Sequence, residues 1–161
     1  MRKTFASVAV GIISIFILAG CSQGPEIITL THAAGTSNTV SVDVNPDGAQ
    51  GDVAVFDSPV YKDGELYGSM IGTMTKVGAL GSGTHPDREE RLLNAVFDLP
   101  EGQINVQGLS FYKSDATKLE KSEPYVRAII GGTGAYIGAR GEVTTVHNAD
   151  DTYTHTIKLL K

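Results

Sequence analysis

A single cysteine, Cys21, among 161 residues leaves no partner for a disulfide within the chain. Basic residues are also scarce. Thirteen Lys and Arg stand against eighteen Asp and Glu, a formal net charge of −5, and no Lys/Arg stripe with interleaved aromatics occurs. Both features exclude the usual nucleic-acid surface and make a polyanionic partner a poor fit. Helical periodicity is nearly missing: apart from a weak case at Asp87 to Ala95, no segment of helical length repeats its apolar residues every 3.6 positions. The four histidines, His32, His85, His147 and His155, show no ligand spacing such as H-x-x-x-H. His147, Asp150 and His155 could meet across a hairpin, but no cysteine or paired histidine supports a metal there, and none is expected. No G-x-S-x-G elbow precedes a helix, which removes the basis for a Ser-His-Asp hydrolase. Long repeats and low-complexity tracts are absent too.

What is present begins with Met1-Arg2-Lys3, an apolar run from Val8 to Leu18, and the closing Leu18-Ala19-Gly20-Cys21. A positive start, a short apolar stretch and small residues before the cut make a signal peptide, and the run is too short for a spanning helix. Cys21 after Leu-Ala-Gly matches the bacterial lipobox, in which the thiol receives a diacylglyceryl group before cleavage. The expected organisation is a signal peptide over residues 1–20, a lipidated tether over 21–26 and one domain over 27–161. The removed piece carries Arg2, Lys3 and no acid, so the net charge moves from −5 to −7 in the remaining 141 residues. That suits an exported domain held at the outer face of a membrane in the bacterial cell envelope.

From Ile27 onward, runs rich in β-formers are separated by glycine, proline and Asx punctuation. They are Ile27 to Thr31, Val40 to Val44, Asp52 to Tyr61, Leu66 to Val77, Arg91 to Leu99, Gln103 to Lys113, Tyr125 to Ile130, Gly138 to His147 and Thr152 to Leu160. Short strands at regular spacing argue for an all-β fold. About eight are enough to close a small antiparallel β-barrel whose interior holds side chains or one small ligand. Asp87-Arg88-Glu89-Glu90 reads as a solvated face. Gly131-Gly132-Thr133-Gly134 and the residues to Gly141 look first like a phosphate loop, but no Lys-Ser/Thr pair closes them and strand material follows, so they read as a turn between strands.

As a turn, the segment Gly131 to Val143 resembles a signature of the allene oxide cyclase and dirigent protein superfamily, a GGTG-x-aromatic-x-x-ARG-like stretch. The upstream Ile104-Asn105-Val106-Gln107-Gly108 is similar to that superfamily's I-x-VQG strand, and Gly51-Asp52 through Phe56 and Tyr61 to its G-D-x-x-x-F…Y strand. Tyr67-Gly68 and Gly72 fall where the next strand of the family keeps glycines. The motifs keep their order over Gly51 to Lys161. The resemblance implies a closed barrel, commonly packed as a homotrimer. Leu109 and Phe111 lie on a second apolar face of their strand that a neighbour would cover.

It also implies a site. In allene oxide cyclases the position matched by Ser58 is a lumenal Asn, and a lumenal Cys falls at about Met74. Strand parity then puts Phe56, Met70 and Met74 in the same cavity as Ser58, with Tyr112 as a further wall residue and the Gly78 to Gly83 loop as a mobile lip. Dirigent proteins place a lumenal arginine where this chain has Arg140. Read from the residues alone, Arg140 is an outward arginine in an ion pair near the rim, since a buried arginine needs a partner. Tyr112 is equally readable as a packed ring with a wet hydroxyl. The departures are the Asn and Cys replaced by Ser58 and Met74, and a first-strand glutamate whose nearest counterpart is Glu26. The resemblance therefore carries the barrel rather than the plant reaction on an epoxide.

Two functions follow from these readings. One is a lipid-anchored cyclase, isomerase or stereo-directing protein that folds a reactive apolar substrate, with Ser58, Arg140 and Tyr112 as its polar groups and Phe56, Met70 and Met74 as its walls. Holding a flexible chain near its reactive conformer removes much of the entropic barrier, and such chemistry calls for no cofactor. The other is a non-enzymatic envelope lipoprotein that carries an apolar ligand or serves a structural role. For the anchor, the expected outcome of Cys21→Ser is an unlipidated, uncleaved precursor; recovery of the mutant in the membrane fraction at the usual mature mass would refute it.

Overall fold

The computed structural model describes residues 24–34, 38–42, 50–78, 85, 87–113 and 116–160. Cys21, the signal segment and residues 79–83 of the expected lip lie outside them. The described residues form β1 (Glu26–Ala33), β2 (Asn38–Val42), β3 (Val53–Lys62), β4 (Glu65–Gly78), β5 (Arg88–Leu99), β6 (Gly102–Lys113), β7 (Pro124–Gly132), β8 (Arg140–His147) and β9 (Thr152–Leu160), with one 3-10 turn at Gly134–Tyr136. The strand order is β1-β9-β8-β7-β6-β5-β4-β3-β2, every pairing antiparallel. Thr31 of β1 pairs with Tyr61 of β3, which closes the sheet into an eight-strand barrel. β2 lies along the other part of that β3 edge, from Asn38 opposite Asp57 to Val42 opposite Val53, and continues the stave that β1 begins. The fold is all-β, as the spacing of the runs predicts.

Alternation decides what enters the barrel. In β3, Phe56, Ser58 and Val60 are buried while Val55 and Asp57 are exposed, and in β9 His155, Ile157 and Leu159 are buried. One end of the lumen is filled. Leu30, Val60, Phe97, Ile104, Val143 and Ile157 are each at most 1% exposed and pack in a single cluster with Ile28, Leu99, Ile129 and Leu159. Burying side chains of this size contributes about 1.5–3 kcal/mol each. The plug is the largest buried apolar cluster among the described residues.

The glycine segment shuts that end. Thr133 N donates to Gln103 O at 2.8 Å, Ala135 N to Glu101 O at 2.8 Å, and Gln103 N to Thr133 Oγ1 at 3.0 Å, so two turns are clasped together. Gly102, at φ +141°, sits where a Cβ would collide with the Thr133 carbonyl, which explains the glycine there. Tyr136 is carried under the plug, and its hydroxyl and that of Tyr67 converge on Glu101.

The strand expected at Arg91 to Leu99 is present and three residues longer: Arg88–Leu99 is bonded on both edges, and Glu89, Leu93, Ala95, Phe97 and Leu99 alternate inward. One expectation is corrected: Asp87 to Glu90 is not a solvated face throughout. Glu89 is buried and bridges Arg91 at 2.6 Å and Lys76 at 3.7 Å. A carboxylate can face the lumen because two cations meet it there.

Candidate functional site

Toward the other end the aliphatic filling stops, leaving a cavity of about 170 Å³. Phe56 and Ser58 on β3, Met70 and Met74 on β4 and Leu93 on β5 make one wall; Tyr112 on β6, Arg127 on β7, Thr145 on β8, Tyr153 and His155 on β9 and His32 on β1 make the other. The cavity is thus two-faced: β3, β4 and β5 present mainly apolar, soft side chains, with Ser58 and Arg91 the polar ones among them, and the remaining strands present mainly polar ones. Leu119, from the segment after β6, packs with Tyr112 and Tyr125 and also lines it.

The polar wall is a connected chain. Arg127, 5% exposed, donates through Nη2 to Ser110 Oγ at 2.6 Å, through Nε to the same oxygen at 3.2 Å, and through Nη1 to Thr145 Oγ1 at 3.0 Å. Thr145 Oγ1 lies 3.0 Å from His155 Nδ1, and His155 Nε2 lies 2.9 Å from His32 Nδ1. Arginine can only donate, so Thr145 accepts from it, and its own proton goes to His155 Nδ1; a hydroxyl accepting twice would bury that proton without an acceptor. His155 Nε2–H then donates to His32 Nδ1. Every acceptor along the chain points back toward the guanidinium. Rings hold the chain in place: Tyr153 stacks between His32 (4.8 Å) and His147 (4.5 Å), His32 stacks on His155 (5.0 Å), and Phe97 meets His155 edge-on (5.3 Å). His147 is fixed by Leu119 O at 2.7 Å and by Asp151 at 3.2 Å, not by Asp150.

Room for Arg127 comes from Gly108. A Cβ there would lie 2.9 Å from Arg127 Cγ, so the last residue of the Ile104 to Gly108 motif is a notch for the arginine stem. Among the described residues no carboxylate pairs with this guanidinium. Burial lowers its pKa, yet arginine stays protonated. The second arginine of the lumen, Arg91, is neutralised by Glu89 and lies over the Tyr112 ring at 4.1 Å. Burial drives the titratable neighbours toward neutrality. His32 falls to about 4, His155 falls well below its ordinary value by burial first and then by repulsion between its protonated form and His32 and Arg127, while Tyr153 rises to about 12 and Tyr112 also rises.

Phe56, Ser58, Met70, Met74 and Tyr112 thus share one cavity, where the family resemblance and strand parity together put them. Arg140 does not join them. It is exposed at the start of β8, following Gly138 at φ +76°, and its register leaves Val143 and Thr145 as the inward residues. The arginines that line the cavity are Arg127 and Arg91. The signal of Arg127 in the sequence was one charged residue sharing parity with Tyr125 and Ile129 in an apolar strand; His32 shares parity with Leu30, and His155 with Ile157, in the same way.

No family model matches the chain, and no curated protein does. Solved structures do. A pyocyanin demethylase superposes with a TM-score of 0.63 at 22% identity, over 83% of this chain and 99% of that one. AbnU, an exo-specific intermolecular Diels-Alderase, gives 0.54 at 17% over 83% and 98%. The Diels-Alderase AbmU from Streptomyces koyangensis gives 0.63 at 18%, over 85% of this chain and 64% of that one. At these identities the likeness is one of fold, a small β-barrel.

The neutral histidines have a measurable consequence. The unfolded chain holds His32 at about 6.5 and the folded one at about 4, so between those values the unfolded state binds the extra proton. Stability is full above pH 6.5 and falls as pH drops toward 4, by roughly 3 kcal/mol from this residue, and His155 acts in the same direction. Urea unfolding at pH 7 and pH 4.5 should show the loss. His32→Phe keeps a ring against Tyr153 and removes the proton site, so it should shrink the loss by about 2 kcal/mol; an unchanged pH dependence would contradict the assignment.

Proposed function

We propose that the protein is a lipid-anchored barrel that binds an apolar small molecule and acts on it as a cyclase, an isomerase or a stereo-directing protein. The observation that carries the reading is the two-faced cavity. Phe56, Met70, Met74 and Leu93 receive an apolar body, while Tyr112, Arg127 and the Thr145, His155 and His32 chain meet its polar edge. A ligand of that kind enters in one orientation, and a fixed orientation is most of what a cyclisation needs. Donors fixed beside a developing negative oxygen supply the rest. The fold similarity to Diels-Alderases and to a pyocyanin demethylase supports the reading, because the same small barrel serves those proteins around small molecules. In this proposal Ser58 and Tyr112 are the polar wall groups among the residues marked by sequence, and Arg127 takes the place expected for Arg140.

A competing reading, a non-enzymatic carrier of apolar ligands, is favoured by one observation. The buried histidines are held neutral and Glu89 is occupied by Arg91 and Lys76, so neither supplies an obvious general acid at neutral pH. Turnover of a bound ligand separates the two. The proposed placement is the outer face of a bacterial membrane, with residues 21–26 as the tether.

A homotrimer is proposed as well, since Leu109 on β6 and Val126 and Ile130 on β7 are 43%, 55% and 60% exposed on the outside of adjacent strands. Sedimentation at micromolar concentration should give the trimer mass; a purely monomeric profile would refute it. The cavity itself is testable with indole, whose emission is not masked because the chain has no tryptophan. Saturable binding with a blue shift is expected. Ser58→Phe, which fills the lumen from the β3 wall, should abolish it and move the melting temperature by only a few degrees. Unsaturable indole uptake, or full binding by a folded Ser58→Phe protein, would overturn the reading.

A further inference from the structure

We propose that Arg127 anchors an anionic oxygen of the ligand, so that the natural ligand is a ring-sized apolar acid, ionised as a carboxylate or an enolate. The inference rests on the binding reading above and narrows its substrate class. Two arginines reach the same lumen, and among the described residues only one has a carboxylate partner. Arg91 has Glu89 at 2.6 Å; Arg127, at 5% exposure, has the hydroxyls of Ser110 and Thr145. The charged and titratable groups around it are Tyr112 on β6, Tyr125 on its own strand, His155 on β9 and, beyond that, His32 on β1. None of them supplies a negative charge at neutral pH.

A buried cation held by neutral dipoles alone is costly, and burial without a counter-charge is retained where a ligand brings one. Among the described residues, three of the five guanidinium N–H groups serve the two hydroxyls, which fixes the fork and leaves one N–H on each terminal nitrogen. That pair matches the two oxygens of a carboxylate or the single oxygen of an enolate. The acceptors of the Thr145, His155 and His32 chain all point toward Arg127, so they steady the cation without cancelling it. An inorganic anion would leave the facing wall of Phe56, Met70, Met74 and Leu93 unused. The volume of about 170 Å³ admits roughly one ring with a short substituent.

Indole-3-carboxylate and indole-3-carboxamide share a ring and differ in charge, so their affinities for the protein test the proposal directly by fluorescence titration at pH 7. The carboxylate should bind on the order of 10-fold tighter or more, as a charge-assisted pair in a dry site gives. Arg127→Met should bring the ratio to one or below while carboxamide binding persists, and Arg127→Gln should do the same. Equal affinities for the unaltered protein, or a preference that survives in either variant, would overturn the proposal; the first comparison needs no variant to fold. If indole and the carboxamide bind without any gain for the carboxylate, the anion anchor fails alone. If none of the three binds, the small-molecule reading fails with it.

Discussion

Closure is the constraint on which everything else rests. Once β1 meets β3 at Thr31 and Tyr61, the sheet has a shared interior, and every second residue of eight strands must enter it. A slip of one residue in any register would exchange an entire face. The interior therefore has to be written two residues at a time. Stepping along the strands from the plug toward the open end, Leu30 gives way to His32, Ile157 to His155, Val143 to Thr145, and Ile129 to Arg127. On β3 and β5 the same step leads from Val60 to Ser58 and Phe56, and from Phe97 to Ala95 and Leu93. The two-faced cavity is the layer above the plug, with polar residues on one arc of strands and mainly apolar ones on the other.

This explains which parts were legible in the sequence. Strand existence and the closed barrel follow from local patterns: alternation in Val53 to Tyr61, glycine and Asx punctuation, and turns such as Pro100-Glu101-Gly102. Parity does not choose the inward face of β3, since both faces are mixed; the family resemblance chooses it at Ser58, and parity then carries the choice to Phe56, Met70 and Met74, which line one cavity with Tyr112. The short polar run at Asp87 to Glu90 misled because exposure was inferred from charge, whereas Glu89 is buried by cations from elsewhere, Arg91 two residues on and Lys76 on the next strand. Charge read along one strand does not reveal a cation supplied by its neighbour.

The arginines show the same limit more sharply. Arg140 stands in the motif but two residues after a left-handed glycine, Gly138, where the chain is still emerging from a turn, and the strand phase that follows turns it outward. Arg127 sits in an apolar run with no motif around it. What admits it is Gly108 on the neighbouring strand, a residue whose absent side chain is the space the arginine stem occupies. The motif glycine and the lumenal cation are two halves of one feature separated in sequence, and only the register of β6 against β7 brings them together.

The plug and the cavity also depend on one another energetically. A cation on a hydroxyl and imidazole chain exerts a strong field only where water is scarce, and the aliphatic floor, shut by the clasp of Thr133 and Ala135 on the Glu101 to Gln103 turn, keeps water from entering behind it. In return the same dryness holds His32 and His155 neutral, which prevents further positive charges from accumulating beside Arg127. Stability and chemistry therefore run through the same strands. β9 supplies Ile157 to the floor and His155 to the site, and β8 supplies Val143 and Thr145, so the polarity of the lumen is set by how far along each strand the aliphatic run extends.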